Sequence, residues 1–273
     1  MEVYNFIDLL KEKTKANIPT AIAIGVFDLV HLGHQQIFHT LLEYSKLNPG
    51  TETMIITFNK NPKGSSNLDT IRLREKYLSV FEINSLVVID FSAEFGKLSA
   101  SEFIQMLIKL CNLKALIVGE DFHCGTITAS AQSFDLKELC NRHHKDVNVI
   151  IKSPVLDSHN RKISSTMIRE FITRGELELV PQFTLRPYQV DLAPIPSIPS
   201  CNSLSFSRKA VMQLLPPPGM YNGALVFTDT TCCNCKVAID EEFLSLEFYN
   251  VNKTALPPFK MIDYLNLFCR SQK

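Results

Sequence analysis

The sequence predicts an α/β fold: a doubly wound parallel sheet of Rossmann-like type, followed by a second, smaller, mostly-β domain. Two observations carry this prediction. The first two-thirds of the chain alternates short, continuous apolar runs with amphipathic stretches of helical spacing, as parallel strands joined by crossover helices require. After about residue 185 the texture changes to Pro- and Ser-rich sequence and then to short strand-like runs punctuated by turns, as a small β domain would show. The expected division is therefore 1–185 and 186–273.

The elements follow in order. The opening stretch MEVYNFIDLLKEKTKAN reads as a short amphipathic helix with acidic residues near its start. Strands are expected at Thr20–Val26, Thr53–Phe58, Leu86–Phe91, Ala115–Val118 and Val147–Ile151, each a β-branched or aromatic apolar run. Between them, His34–Leu47, Thr70–Phe81, Ser99–Cys111 and Ser133–His143 have helical spacing. A last helix, about Thr166–Arg174, follows Ser164 and Ser165 as N-cap candidates and stops at Gly175. The stretch RPYQVDLAPIPSIPSCNS reads as a linker or irregular arm. Beyond it, strands are expected at Phe206–Met212, Met220–Thr228, Lys236–Ile239 and Leu244–Val251, and a closing helix at Phe259–Cys269.

Composition narrows the function classes. A chain of 273 residues with 45% hydrophobic and 21% charged residues is an ordinary globular chain that can bury a sizeable core. Formal net charge is zero, which gives no broad electrostatic case for nucleic acid or a membrane surface. The sequence shows no apolar run of about 18 residues and no secretory leader pattern, so a cytoplasmic protein with reduced thiols is expected. Of the eight cysteines, Cys232, Cys233 and Cys235 cluster. Three ligands without a paired C-x2-C or His set fit a reduced turn and strand better than zinc.

Two motifs point to phosphate chemistry. The first is Gly25-Val-Phe-Asp-Leu-Val-His31-Leu-Gly-His34-Gln, directly after the first apolar run. Gly25 and Gly33 allow close backbone approach, and a helix opening near His34 presents free N–H groups and a positive dipole. His31 and His34 are spaced to face one phosphate and donate hydrogen bonds to its developing charge. Two histidines three apart also occur in plain surface turns and partial metal sites, and the surrounding G-x-F-D-x-x-H-x-G-H context is what favours the phosphate reading. The second motif is Ile163-Ser-Ser-Thr-Met-Ile-Arg169. Ser164, Ser165 and Thr166 place hydroxyls and N–H groups at a helix start, with the Arg169 fork one turn on. A simple N-cap with a solvated arginine is the alternative for this segment taken alone.

Together these motifs resemble the HxGH nucleotidyltransferase superfamily, and more narrowly the FAD synthetase module of the prokaryotic bifunctional riboflavin kinase/FMN adenylyltransferase family. Thr57-Phe-Asn-Lys-Asn-Pro62 resembles that family's TFxxHP segment, Phe91–Phe103 its FxxxFAxLSxxEF stretch, and Val118–Gly125 its VGxDFxFG loop. The resemblance covers about residues 20–180. It implies transfer of AMP from ATP to FMN, giving FAD and pyrophosphate, with Mg²⁺ held mainly by the ATP phosphates. His31, His34, Ser165 and Arg169 would act on the phosphates. Gly25, Val26, Phe27, Asp28, Gly33, Ser164 and Thr166 would complete the ATP site. Phe58, Asn59, Asp121, Phe122 and Gly125 would lie near the flavin.

Some positions depart from the family pattern. Leu29 stands where members usually carry glycine, Asn61 where they often carry histidine, and Cys124 replaces an aromatic residue. Residues 186–273 resemble a shortened riboflavin kinase barrel: Leu215–Tyr221 matches its LPxxGVY turn, but no PTAN motif is present. Glu247 sits roughly where a general base could fall, but an outward-facing strand residue is the favoured reading. A monofunctional FMN adenylyltransferase is therefore expected. Alternatives are a bifunctional enzyme, an HxGH transferase for another phosphate acceptor, and a nucleotide-binding regulator. Small-molecule nucleotide and flavin substrates are expected, with neither nucleic acid nor membrane as partner. No feature encodes the oligomeric state.

Overall fold

The computed structural model describes residues 1–60, 64, 66–92, 94–126, 128–143, 146–200, 202–248 and 262–271. It divides into two compact units. Unit 1 comprises Met1–Ser65 and Arg74–Lys162; unit 2 comprises Ser66–Leu73 and Ile163–Lys273. The division at residue 162 precedes the compositional change near residue 185. The reason is that α6 (Ser165–Arg174) packs within unit 2: Phe171 stacks on Phe183 of α7 (Val180–Thr184), ring centroids 5.6 Å apart.

Unit 1 is built on a six-stranded, all-parallel sheet. Its strands are β1 (Glu2–Asn5), β2 (Pro19–Ile24), β3 (Glu52–Phe58), β4 (Ser85–Ile89), β5 (Asn112–Gly119) and β8 (Asn148–Lys152), in the spatial order β1-β4-β3-β2-β5-β8. A two-stranded hairpin, β6 (His123–Cys124) with β7 (Ala131–Gln132), follows β5. The expected doubly wound sheet is present. All five expected runs form strands, and because both faces are covered they read as continuous apolar runs rather than alternating ones. On one face, Ala21, Ala23, Ile55, Leu86, Ala115 and Ile117 pack with Ile37, Phe38 and Leu41 of α2 (Leu32–Leu47). On the other, Ile22, Ile24, Met54, Ile56, Leu116 and Val118 meet α1 (Phe6–Glu12), α4 (Ala100–Leu110) and α5 (Leu136–Arg142).

The helix ends follow their caps. Ser99 and Glu102 form a reciprocal capping box at the start of α4. Ser164 Oγ accepts from Met167 N, and Gly175 ends α6 with φ +78°. Two expectations for this region need correction. The N-terminus is not helical throughout: Glu2–Asn5 forms β1 along the edge of β4, and α1 begins only where Asn5 Oδ1 caps the amides of Ile7 and Asp8. The stretch Ser133–His143 is one turn of 3-10 helix, Ser133–Asp135, leading into α5.

Unit 2 is a curled antiparallel half-barrel with the strand order β10-β11-β14-β13-β12-β15-β9. Its strands are β9 (Tyr188–Asp191), β10 (Ser197–Pro199), β11 (Ser203–Ser207), β12 (Gly219–Phe227), β13 (Cys232–Ile239), β14 (Phe243–Phe248) and β15 (Ile262–Arg270). The supposed linker thus contributes two strands, β9 and β10. The expected closing helix is also corrected. Ile262–Arg270 forms β15, hydrogen-bonded to β12 on one side and β9 on the other, with Leu265 and Leu267 alternating into the core. Residues 259–261, and the turn expected at 255–258, lie outside the described residues. In β13, Cys233 and Cys235 share the inward face while Cys232 points the opposite way, as the two-residue period of a strand dictates.

The segment 66–73 is held into unit 2 by buried charge. Arg72 Nη2 pairs with Asp191 at 2.6 Å and Nη1 with Asp263 at 2.6 Å, both carboxylates being almost fully buried. Arg186 reaches Asp69 at 2.7 Å, and Tyr188 Oη donates to the carbonyls of Leu68 and Leu214.

Candidate nucleotidyl-transfer site

The strand order of unit 1 reverses beside β2. The chain moves outward from β2 through β3 to β4 on one side, then returns to β5 and β8 on the other. Open α/β sheets place ligands outside the carboxyl ends of strands at such a switch point. The G-V-F-D-L-V-H segment occupies that position, running from the end of β2 into α2.

The turn between Gly25 and His31 is buried and strained. Phe27 and Leu29 both adopt left-handed conformations, at φ +48° and +51°, with side chains 1% and 0% exposed. Carbon-bearing residues there cost about 1–2 kcal/mol each relative to ordinary backbone. A Cβ at Gly25 would stand 2.8 Å from the Phe27 ring, so only glycine fits beneath it. The Phe27 ring then packs edge-on against His34, centroids 5.2 Å apart, and against Phe38 at 4.9 Å.

His31 is the N-cap residue of α2, and His34 lies in its first turn. Their rings stack at 3.6 Å with an interplanar angle of 22°. The backbone N–H of His31 donates to His34 Nδ1 at 3.4 Å. That bond places the His34 proton on Nε2. His31 Nδ1 is buried and finds no hydrogen-bond partner among the described residues. An unprotonated acceptor nitrogen is the less costly species there, so the His31 proton also sits on Nε2. Burial, reinforced by the positive charge of Lys162 and opposed by Asp121, pushes the His31 pKa down to about 4. Burial, then His31, Arg74 and Lys162, hold His34 well below the ordinary range. Both rings are therefore neutral near pH 7: two N–H donors beside the free amides and positive dipole of a helix start.

The other expected residues of unit 1 lie at the same edge of the sheet. Phe58 ends β3 and packs edge-to-face with Phe91 at 5.9 Å. Asn59 donates from Nδ2 to Asp90 at 2.7 Å and accepts from the Phe91 amide. Asp121, just after β5, pairs with Lys162 Nζ at 2.7 Å. Phe122 packs against the core, and Gly125 turns the loop with φ +89°. A Cβ on Gly125 would meet the Ala129 carbonyl at 2.4 Å and the Ala100 amide nitrogen at 2.5 Å. Gly33 lies in the first turn of α2. Asn61 and Pro62 of the TFxxHP-like segment lie outside the described residues. Ser164, Ser165, Thr166 and Arg169 form the start of α6 in unit 2, with Ser164 as cap and Thr166 exposed. Glu247, on β14, faces outward beside Lys236 and Ser203 in the strand register.

Two residues of the site escaped the sequence reading. Arg74, on α3 (Ile71–Leu78), is 1% exposed. Its Nη1 lies within hydrogen-bonding distance of Val26 O, Thr57 Oγ1 and Phe58 O, at 2.8, 2.8 and 2.9 Å, and Nη2 reaches Asp28 Oδ1 at 3.4 Å. Lys162, paired with Asp121, adds its charge to the burial that lowers both histidine pKa values. Nothing in IRLREKY or DSHNRK separates these cations from ordinary solvated ones.

A family model described as FAD synthetase matches residues 13–167, more than half of the chain. A bifunctional riboflavin kinase/FMN adenylyltransferase from Buchnera aphidicola subsp. Schizaphis graminum is 33% identical over 183 residues, covering 64% of this chain and 58% of the relative. The chain thus spans about three-fifths of that relative's length. A FAD synthetase from Listeria monocytogenes is 29% identical over 177 residues, covering 62% of this chain and 70% of the relative. A putative bifunctional riboflavin kinase/FMN adenylyltransferase from Geobacillus thermodenitrificans is 33% identical over 163 residues, covering 58% of this chain and 86% of the relative. A crystal structure described as a macrolide-efflux protein from Streptococcus pneumoniae shares the fold, with a TM-score of 0.76 and 21% identity over 93% of this chain and 86% of that one. With a matching family model spread over the strand, loop and helix that carry the histidine pair, the chain belongs to the FAD synthetase family.

Proposed function

We propose that the chain is an FMN adenylyltransferase: the phosphate of FMN attacks the α-phosphorus of ATP, and FAD and pyrophosphate leave. The observation that carries this reading is the neutral, stacked His31–His34 pair at the start of α2, at the switch point of the sheet. Two Nε2–H donors and a helix N-terminus form a site for a phosphate whose negative charge grows during in-line displacement. Neutral donors suit this task because they stabilise charge without needing to gain or lose a proton. Gly25, Val26, Phe27, Asp28 and Gly33 shape the ATP site. Ser164, Ser165, Thr166 and Arg169 bind the departing pyrophosphate. Phe58, Asn59, Asp121, Phe122 and Gly125 form the flavin side.

Mg²⁺, held through the ATP phosphate oxygens and water, would neutralise triphosphate charge. Asp28 already faces Arg74, so on this reading the ion's ligands are the phosphate oxygens and water rather than that carboxylate.

The reaction is proposed to be monofunctional, because residues 186–273 contain no PTAN phosphate loop. The substrates are small molecules, and neither nucleic acid nor membrane is a proposed partner. No helix among the described residues is long and apolar enough to cross a membrane, and we place the enzyme in the cytoplasm. The test is incubation with Mg²⁺-ATP and FMN, with FAD and pyrophosphate as the required products in equal amounts.

A further inference from the structure

The strained turn before His31 poses a physical question: what keeps it in place? Phe27 and Leu29 are both left-handed and both buried, so neither solvent nor a glycine relieves them. The residues on either side of Phe27 have one partner in common. Arg74 donates to Val26 O ahead of it and pairs with Asp28 behind it, and it also reaches Thr57 Oγ1 and Phe58 O at the end of β3. Thr57 Oγ1 itself donates to Val26 O at 2.8 Å. The guanidinium thus ties the turn to the sheet at two points that bracket Phe27, whose ring packs edge-on against His34.

We propose that Arg74 is a positioning residue for phosphate transfer. It holds the strained turn that sets Phe27, and through Phe27 it orients the stacked histidines. Leu29 makes the turn depend on this clamp, because glycine would adopt φ +51° without steric cost. A lysine cannot replace the planar fork, since its single ammonium cannot bracket the turn in the same way. Arg74 touches no reacting atom in this scheme; it acts through Val26, Asp28 and Phe27. The inference rests on the adenylyl-transfer reading above.

The experiment compares wild type with Arg74→Met, Arg74→Lys, Leu29→Gly and the Arg74→Met/Leu29→Gly double variant. The readouts are kcat, KM for ATP and for FMN, and calorimetric binding of Mg²⁺-ATP. Arg74→Met is expected to lower kcat at least about tenfold, as small misplacement of catalytic donors does, with KM for FMN nearly unchanged. Leu29→Gly in the Met background is expected to restore a substantial part of that loss, and Arg74→Lys to fall between. A merely structural arginine would lower stability while leaving kcat of the folded protein intact. Wild-type kcat in Arg74→Met, or a loss that Leu29→Gly does not touch, overturns the proposal. If Arg74→Met does not fold, Arg74→Lys with and without Leu29→Gly decides the matter by the same criteria. If wild type makes no FAD from FMN, the functional reading fails. Mg²⁺-ATP affinity then decides this one: weakened binding in the arginine variant supports it, and equal affinity overturns it.

Discussion

Acidification from about pH 7 to about pH 5 should destabilise unit 1 through His31. The unfolded imidazole titrates near 6.5, whereas burial and the nearby Lys162 charge hold the folded one near 4. The unfolded chain therefore takes up the proton first. The penalty is absent above about pH 6.5, grows as pH falls, and is complete only below about pH 4. These two values give about 2 kcal/mol at about pH 5 from His31 alone. His34, shifted in the same direction, adds to it. Native-state hydrogen exchange of the β2 amides, corrected for intrinsic rates, reads the opening free energy of this unit directly. His31→Gln keeps a polar side chain that does not titrate, so its pH dependence over the same interval should be flatter by about 2 kcal/mol. Equal opening free energies for wild type at both pH values, or an undiminished slope in His31→Gln, would refute the account of a neutral buried pair.

Three further outcomes follow from named contacts. His31→Ala should lower kcat for AMP transfer at least about tenfold with the fold intact by circular dichroism, because it removes a donor to the transition state; unchanged turnover would remove His31 from the site. Gly125→Ala forces a Cβ against the Ala129 carbonyl and the Ala100 amide, so KM for FMN should rise several-fold while KM for ATP stays put, as steady-state kinetics will show. Arg72→Met takes the cationic partner from Asp191, which is 3% exposed. It should cost about 3 kcal/mol in urea denaturation followed by a unit 2 probe.

The parts of the fold that were readable from sequence are those where one physical signal dominates. Ile22–Ile24, Ile55–Thr57 and Leu116–Val118 lie in strands covered on both faces, so they announce themselves as unbroken apolar runs. β1 gave no such signal, because Glu2–Asn5 is an edge strand with mostly exposed side chains. β9 was masked by the prolines around it, although Tyr188 and Val190 alternate inward. β15 is ambiguous in sequence because Tyr264, Leu265, Leu267 and Phe268 fit a helical face as well as a strand. Only pairing with β12 and β9 selects the strand.

The site divides in the same way. His31 and His34 were legible because glycine, strand end and histidine spacing coincide within a few residues. The clamp behind them was not: a buried Arg74 and a solvated arginine look alike in IRLREKY. Nor does any glycine or asparagine at Phe27 or Leu29 announce the left-handed turn. Those features exist only once Thr57, Val26 and Asp28 are brought to one point by the parallel packing of β2 and β3.

The most direct test of the central claim is a turnover assay with Mg²⁺-ATP in which FMN and riboflavin are offered separately and the flavin products are resolved by chromatography. The account predicts FAD and pyrophosphate from FMN, with riboflavin returned unchanged. FMN or FAD formed from riboflavin would contradict the monofunctional reading, and no product from FMN would contradict the assignment of the histidine site to flavin adenylylation.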